Sequence, residues 1–173
     1  MKLDARDLEI LGVLQEDASV SAAELARRLQ ISPPGIQKRL RKLQDGGVLL
    51  RQVALVRREA VDLDLLCFVH VTLAHHQPET VQGFREAIRA LPEVLECYLL
   101  TGEFDYLLKV VARNHRALER FLVEVLTALP GIDKIRSSIV LNEIKSSTAL
   151  PLAQVQGKPI REAPPERPGE QRR

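Results

Sequence analysis

Residues 32–47 read SPPGIQKRLRKLQDGG. Ser32 and Pro33 make a helix entrance: the serine oxygen accepts orphan N–H groups, and the proline sits where a missing N–H costs nothing. Asp45-Gly46-Gly47 makes the exit. With Ile36 as origin, Leu40 falls at about 40° and Leu43 at about 340°, which defines a buried face. Arg41 falls at about 140°, Lys38 at about 200° and Lys42 at about 240°, on the opposite side. The spacing predicts an amphipathic helix whose cations point outward, a shape that fits the ~12 Å major groove of duplex DNA. Lys38 and Arg41 are the candidates to reach base edges, with Gln37 at the flank. Ser32, Arg39 and Lys42, together with Arg27, Arg28 and Arg51, are the candidates to hold phosphates. Pro34 and Gly35 take the first exposed turn, where long polar side chains would otherwise read bases. Shape and bending are therefore expected to carry much of any selectivity.

Two shorter helices precede this one. Asp4 caps the first, with Asp7 at the acid position of a capping box, and Asp7, Ile10, Leu11 and Leu14 follow the helical period. Ser21 opens the second, with Glu24 at its capping-box position and Ala22, Leu25, Ala26 and Leu29 in one stripe. Gln30 and Ile31 leave only a tight turn before Ser32, as in a helix-turn-helix. After the glycines, Val48–Val56 is β-prone and reads as a small wing or linking strand.

The 173 residues carry a formal net charge of only +2, unevenly spread. Residues 1–26 hold two basic and six acidic side chains, for −4; residues 27–58 hold nine basic and one acidic, for +8. Residues 59–152 return to −4, nine basic against thirteen acidic. One cationic window on a near-neutral chain implies a localised polyanion contact, here double-stranded DNA. The longest uncharged apolar run, Leu65–Leu73, is interrupted by His70 and is far short of the ~20 residues a bilayer span needs. The charged start MKLDARDLEI lacks a signal-peptide core, so a cytoplasmic protein is expected. Cys67 and Cys97 have no CxxC or histidine pair at metal spacing, and read as buried reduced thiols. His75 and His76 point to opposite faces of an extended chain and do not read as metal ligands. No cofactor or metal is expected.

From Leu65 the periodicity changes. Leu65–Ala74 reads as a strand and Glu79–Leu91 as a helix; Val94–Thr101 and Phe104–Ala112 read as strands joined by a tight Gly102-Glu103 turn. Asn114 caps a second helix, and Ile132–Lys145 reads as a long final strand. The order β-α-β-β-α-β is the ferredoxin-like split unit. It places the first strand between the third and fourth, so Cys67 and Cys97 fall on non-adjacent strands. The fold class is thus α+β: an N-terminal winged helix-turn-helix domain (1–58), a linker (59–64) and a C-terminal ferredoxin-like domain (65–152). Residues 153–173, with four prolines and eight charges, read as a disordered tail.

In this order of elements the chain resembles the Lrp/AsnC (leucine-responsive and asparagine-responsive) transcription regulators. The matching stretches are Leu3-Asp4 with Asp7 and Ile10-Leu11, Leu25-Ala26-Arg27-Arg28, and Ile31-Ser32-Pro33 with Arg39-Leu40 and Leu43. The most specific is Leu100-Thr101-Gly102-Glu103-Phe104-Asp105-Tyr106-Leu107-Leu108, similar to that family's Gly-x-x-Asp turn. The likeness runs from about Leu3 to Leu152. It implies a homodimer joined through the ferredoxin-like domains, assembled further into tetramers or octamers. It also implies an amino acid or related small effector bound between dimers. By position, Thr101, Gly102 and Asp105 match the effector turn, and Ser137 sits where the family has a threonine facing the same pocket. A glycine turn offers backbone N–H groups to a carboxylate and an aspartate holds an ammonium. The chain departs from the family at Leu50-Arg51-Gln52-Val53, without the glycine-aromatic pair many members carry there, and in its proline-rich tail.

Other functions compete with a regulator. An architectural protein that coats DNA with little selectivity would share the cationic helix. Sirohaem decarboxylases resemble this layout, but their second strand carries an Asn-Tyr-x-Arg-type stretch where this chain reads Glu96-Cys97-Tyr98-Leu99-Leu100. With no Ser-His-Asp set, paired carboxylates or phosphate-cradling glycine loop, no enzymatic activity is expected.

Overall fold

The computed structural model describes residues 2–154. They form two compact units, one comprising the chain up to Ala54 together with the chain from Ser146 onward, the other Leu55–Lys145.

The first unit is built on three helices, α1 (Ala5–Glu16), α2 (Ala22–Leu29) and α3 (Pro33–Asp45). Their starts follow local chemistry. The Asp4 carboxylate accepts the Asp7 N–H while the Asp7 carboxylate accepts the Asp4 N–H, a complete capping box. Ser21 and Ser32 cap α2 and α3 through the N–H groups of Glu24 and Gly35. Only half of the capping box expected at Ser21 forms, because the Glu24 carboxylate turns to Arg27 and Arg28 instead. Gln30 closes α2 in the left-handed region at φ 52°, and Gly47, at φ 65°, closes α3. Ile10, Leu11, Leu14, Leu25, Ala26, Ile36 and Leu43 meet in one core. Each Ile or Leu fully buried there stabilises the unit by about 1.5–3 kcal/mol.

The wing differs from expectation. Residues 50–57 form no ladder, and Leu50, Val53, Leu55 and Val56 are exposed. A strand exists only against a partner, and none lies beside this segment among the described residues. In the linker, Arg58–Val61 makes a 3₁₀ turn, closed by Asp62 at φ 60°. The Arg58 guanidinium donates to the carbonyls of Leu63 and Asp64, which withdraws it from the cationic window.

The second unit holds β1 (Leu65–Leu73), α4 (Pro78–Ala90), β2 (Val94–Leu99), β3 (Tyr106–Ala112), α5 (His115–Arg120) and β4 (Ile132–Ile139). The sheet is antiparallel with order β2-β3-β1-β4, as the sequence implied. Cys67, Val69, Val71 and Leu73 point to one face of β1 and pack with Phe84 and Ile88 of α4. Phe121 and Leu126, in the π-helical continuation of α5 over Phe121–Leu126, join the same core.

Three boundaries move. The β2–β3 connection spans Leu100–Asp105 rather than two residues. β4 stops at Ile139, six residues before the expected end, and Ser146–Gln154 goes with the helical unit. There the Gln15 amide brackets the Leu150 backbone, donating to its carbonyl (3.2 Å) and accepting its N–H (2.7 Å). Cys67 is buried as expected, whereas Cys97 is exposed because β2 is an edge strand. Of the expected disordered tail, Ala153 and Gln154 belong to a single 3₁₀ turn, and the remainder lies outside the described residues.

Candidate nucleic-acid interface and effector turn

On α3, burying Ile36 and Leu43 turns Gln37, Lys38 and Arg41 to solvent. Lys38, Arg41 and Arg51 make no ion pair among the described residues. Their charge is available to a ligand. Ser32 is exposed, its oxygen accepting the Gly35 N–H at 3.3 Å. Gly35 is held small by this cap: a Cβ there would meet Ile31 Cγ2 at 3.0 Å and Ser32 Oγ at 3.1 Å.

The other expected phosphate ligands are engaged. Arg27 and Arg28 both pair with Glu24 at 2.7 Å, and their two guanidinium groups hold its carboxyl down at about 2. These are surface pairs, Arg27 being 76% exposed, and such pairs are worth little enough to be exchanged for a phosphate. Arg39 and Lys42 differ in kind. Arg39 Nη1 lies 2.6 Å from Asp7 and 2.7 Å from Asp4, and Lys42 Nζ lies 2.7 Å from Asp7. Asp7 is fully buried. Burial by itself would raise its carboxyl, but the Lys42 ammonium, the Arg39 guanidinium and the Asp4 N–H outweigh that and hold it below the usual carboxylate range. Arg39 and Lys42, both expected at phosphates, are thus engaged with α1. Sequence reasoning missed the role of Asp7, although the signal was there: an acid inside the apolar stripe of α1 needs a cation brought to it.

In the second unit, Leu100 N–H donates to the Asp105 carbonyl (2.8 Å) and Asp105 N–H to the Val71 carbonyl (3.0 Å), closing the β2–β3 connection. Thr101 and Gly102 are exposed on it. Gly102 adopts φ 124° with open space where a Cβ would stand, so the turn requires its backbone freedom rather than its size. The Asp105 carboxylate accepts the Leu73 N–H (2.8 Å) through one oxygen and meets His76 Nε2 (2.8 Å) through the other. Burial would raise this carboxyl, and those two partners bring it below the usual range. His76, unassigned by the sequence, thus belongs to this turn. Ser137 does not. It is exposed on β4 opposite Val69, whereas Asp105 precedes the Tyr106–Val71 pair. Two strand spacings and three residues of rise separate them, about 14 Å.

Comparison with known proteins places both units. The winged helix-turn-helix DNA-binding profile matches residues 3–49, and the Lrp/AsnC ligand binding domain profile matches residues 66–150. The leucine-responsive regulatory proteins of Escherichia coli K12 and Klebsiella pneumoniae are each 37% identical over 148 residues, covering 86% of this chain and 90% of theirs.

The chain belongs to the Lrp/AsnC family.

Solved Lrp/AsnC structures share its fold. A transcriptional regulator from Neisseria meningitidis in complex with L-Met superposes with a TM-score of 0.85 at 37% identity, covering 89% of this chain and 99% of that one. The E. coli AsnC structure gives 0.77 at 26% identity, covering 86% and 99%. The protein is a helix-turn-helix transcriptional regulator of the Lrp/AsnC type with that family's ligand-binding domain. Among the described residues no helix is long and apolar enough to cross a membrane.

Proposed function

We propose that the protein is a cytoplasmic, non-enzymatic homo-oligomer that binds duplex DNA selectively and is modulated by an amino acid. The observation that carries this reading is the exposed Gln37–Lys38–Arg41 face of α3, set opposite a core of Ile36 and Leu43. Lys38 and Arg41 reach base edges with Gln37 beside them, while Ser32, Arg51 and the exchangeable Arg27 and Arg28 hold phosphates.

Two surfaces support self-association. The sheet face away from the helices carries Phe68, His70, Leu107 and Tyr98. On it, His70 packs against Phe104 with centroids 4.7 Å apart, and its buried Nδ1 has no hydrogen-bond partner among the described residues. Residues 50–56 add an unpaired apolar stretch. A second copy supplies what both lack, a cover and a ladder. It also gives the effector site its missing wall. Thr101, Gly102 and Asp105 of one copy would meet Ser137 of another, with the ammonium of the amino acid competing with His76 for Asp105.

Binding to duplexes selected from a random pool, with and without each of the twenty amino acids, tests this reading. Expected are a specific-to-nonspecific affinity ratio of ~10³ or more and at least one amino acid that changes binding. A ratio near one would favour an architectural protein.

A further inference from the structure

We propose that Asp7 is a positioning residue for DNA binding: with Asp4 it clasps Arg39 and Lys42 and fixes the rotation of α3, so that Lys38 and Arg41 face the duplex. The inference rests on the reading of α3 as the DNA-contacting helix.

Both Asp7 oxygens are committed. One accepts from Arg39 (2.6 Å), the other from Lys42 (2.7 Å) and from the Asp4 N–H (3.2 Å). Asp4 adds a second hold on Arg39 at 2.7 and 2.9 Å, and Lys42 also reaches the Lys2 carbonyl at 3.4 Å. Arg39 and Lys42 are three residues apart and so share one face of α3, turned towards α1. Lys38 and Arg41 share the same spacing one position earlier and lie about 100° round the helix. Holding one pair aims the other. At a side-chain radius of about 5–6 Å, a 20° rotation of α3 would move a cation by about 2 Å. Binding sites require placement within about 0.5 Å. The apolar contacts of Ile36 and Leu43 are non-directional. A buried carboxylate with three hydrogen-bond partners supplies direction.

The arrangement separates two kinds of cation on one helix. The clasped pair is withdrawn from phosphates, and its release would add charge to the interface without adding selectivity. Asp7→Asn removes the charge at nearly constant shape. Expected, at a temperature where circular dichroism shows full helix content, is a fall of about tenfold or more in specific-to-nonspecific affinity. The slope of log K against log salt should become steeper by up to about 1.8 per chain, as Arg39 and Lys42 turn to phosphates. Unchanged selectivity and slope in folded D7N would overturn the proposal, since a purely stabilising residue moves neither. Lys42→Met keeps Arg39 on both carboxylates and decides the matter even where D7N does not fold. Its slope should equal that of the wild type, and a loss of about 0.9 would place Lys42 at a phosphate and overturn the clasp. Because both variants are read against wild-type binding to the same duplex, failure of the DNA-interface reading appears in the wild type itself.

Discussion

The salt dependence of DNA binding follows from which cations the fold leaves available. Between Arg27 and Arg51 the chain has seven basic side chains: Arg27, Arg28, Lys38, Arg39, Arg41, Lys42 and Arg51. Two, Arg39 and Lys42, are held by buried Asp7, and two, Arg27 and Arg28, by half-buried Glu24 at the surface. That leaves three available outright and two more by exchange. At about 0.9 released counterions per neutralised phosphate, the slope of log K against log salt should lie between about −2.7 and −4.5 per bound chain. All seven acting together would give about −6.3. Over a fourfold rise in salt the difference is large: about 40- to 500-fold weakening per chain against about 6,000-fold. Fluorescence anisotropy on a labelled duplex between 50 and 200 mM salt, with the bound chains counted by sedimentation, measures it. A slope of −6 or steeper per chain would refute the division of cations drawn from the ion pairs.

Asp105→Ala removes the partner of the Leu73 N–H and of His76; it should abolish any thermal shift produced by amino acids while the sheet still melts cooperatively. Glycine substitutions should split by site. Gly131→Ala places a Cβ 2.2 Å from Thr80 Cγ2 at φ 84° and should cost about 1–3 kcal/mol in denaturant melts, whereas Gly12→Ala, with open space inside α1, should stabilise by about 0.5–1 kcal/mol. Asp4 and Asp7 both titrate below their usual value near 3.8 in the folded chain, so their contribution is present above that value and disappears as pH falls through the folded-state values. Wild-type stability should therefore drop on acidification below about pH 5, and D7N should show a shallower acid limb; equal limbs would show that Asp7 is not responsible.

Much of the fold was legible because its signals are local or periodic. Asp4, Ser21, Ser32 and Asn114 announce helix starts within three residues of themselves, and each side chain caps the helix that follows. The alternation along β1 and the order of elements determined the sheet order. What escaped depends on distant partners. Asp7 and its two cations are separated by 32 and 35 residues, so a helical wheel of α3 alone could place Lys42 only on an outward face. The stretch Val48–Val56 has β-prone residues but no ladder partner among the described residues, so composition suggested a strand that does not form there. Residues 141–145 likewise continue the β-prone pattern past the end of the β1–β4 pairing, where the Val140 N–H still donates to the Leu66 carbonyl. The β2–β3 turn was readable from Gly102 and Asp105, whereas His76 enters it only through folding.

The outward face of α3 is tested most directly by nuclease footprinting of the Lys38→Ala/Arg41→Ala chain on a duplex selected by the wild type. The expected result is loss of the selective footprint with an unchanged circular dichroism spectrum and melting temperature, since neither side chain supports the core. A footprint of wild-type extent and affinity would contradict the assignment of this helix to the groove.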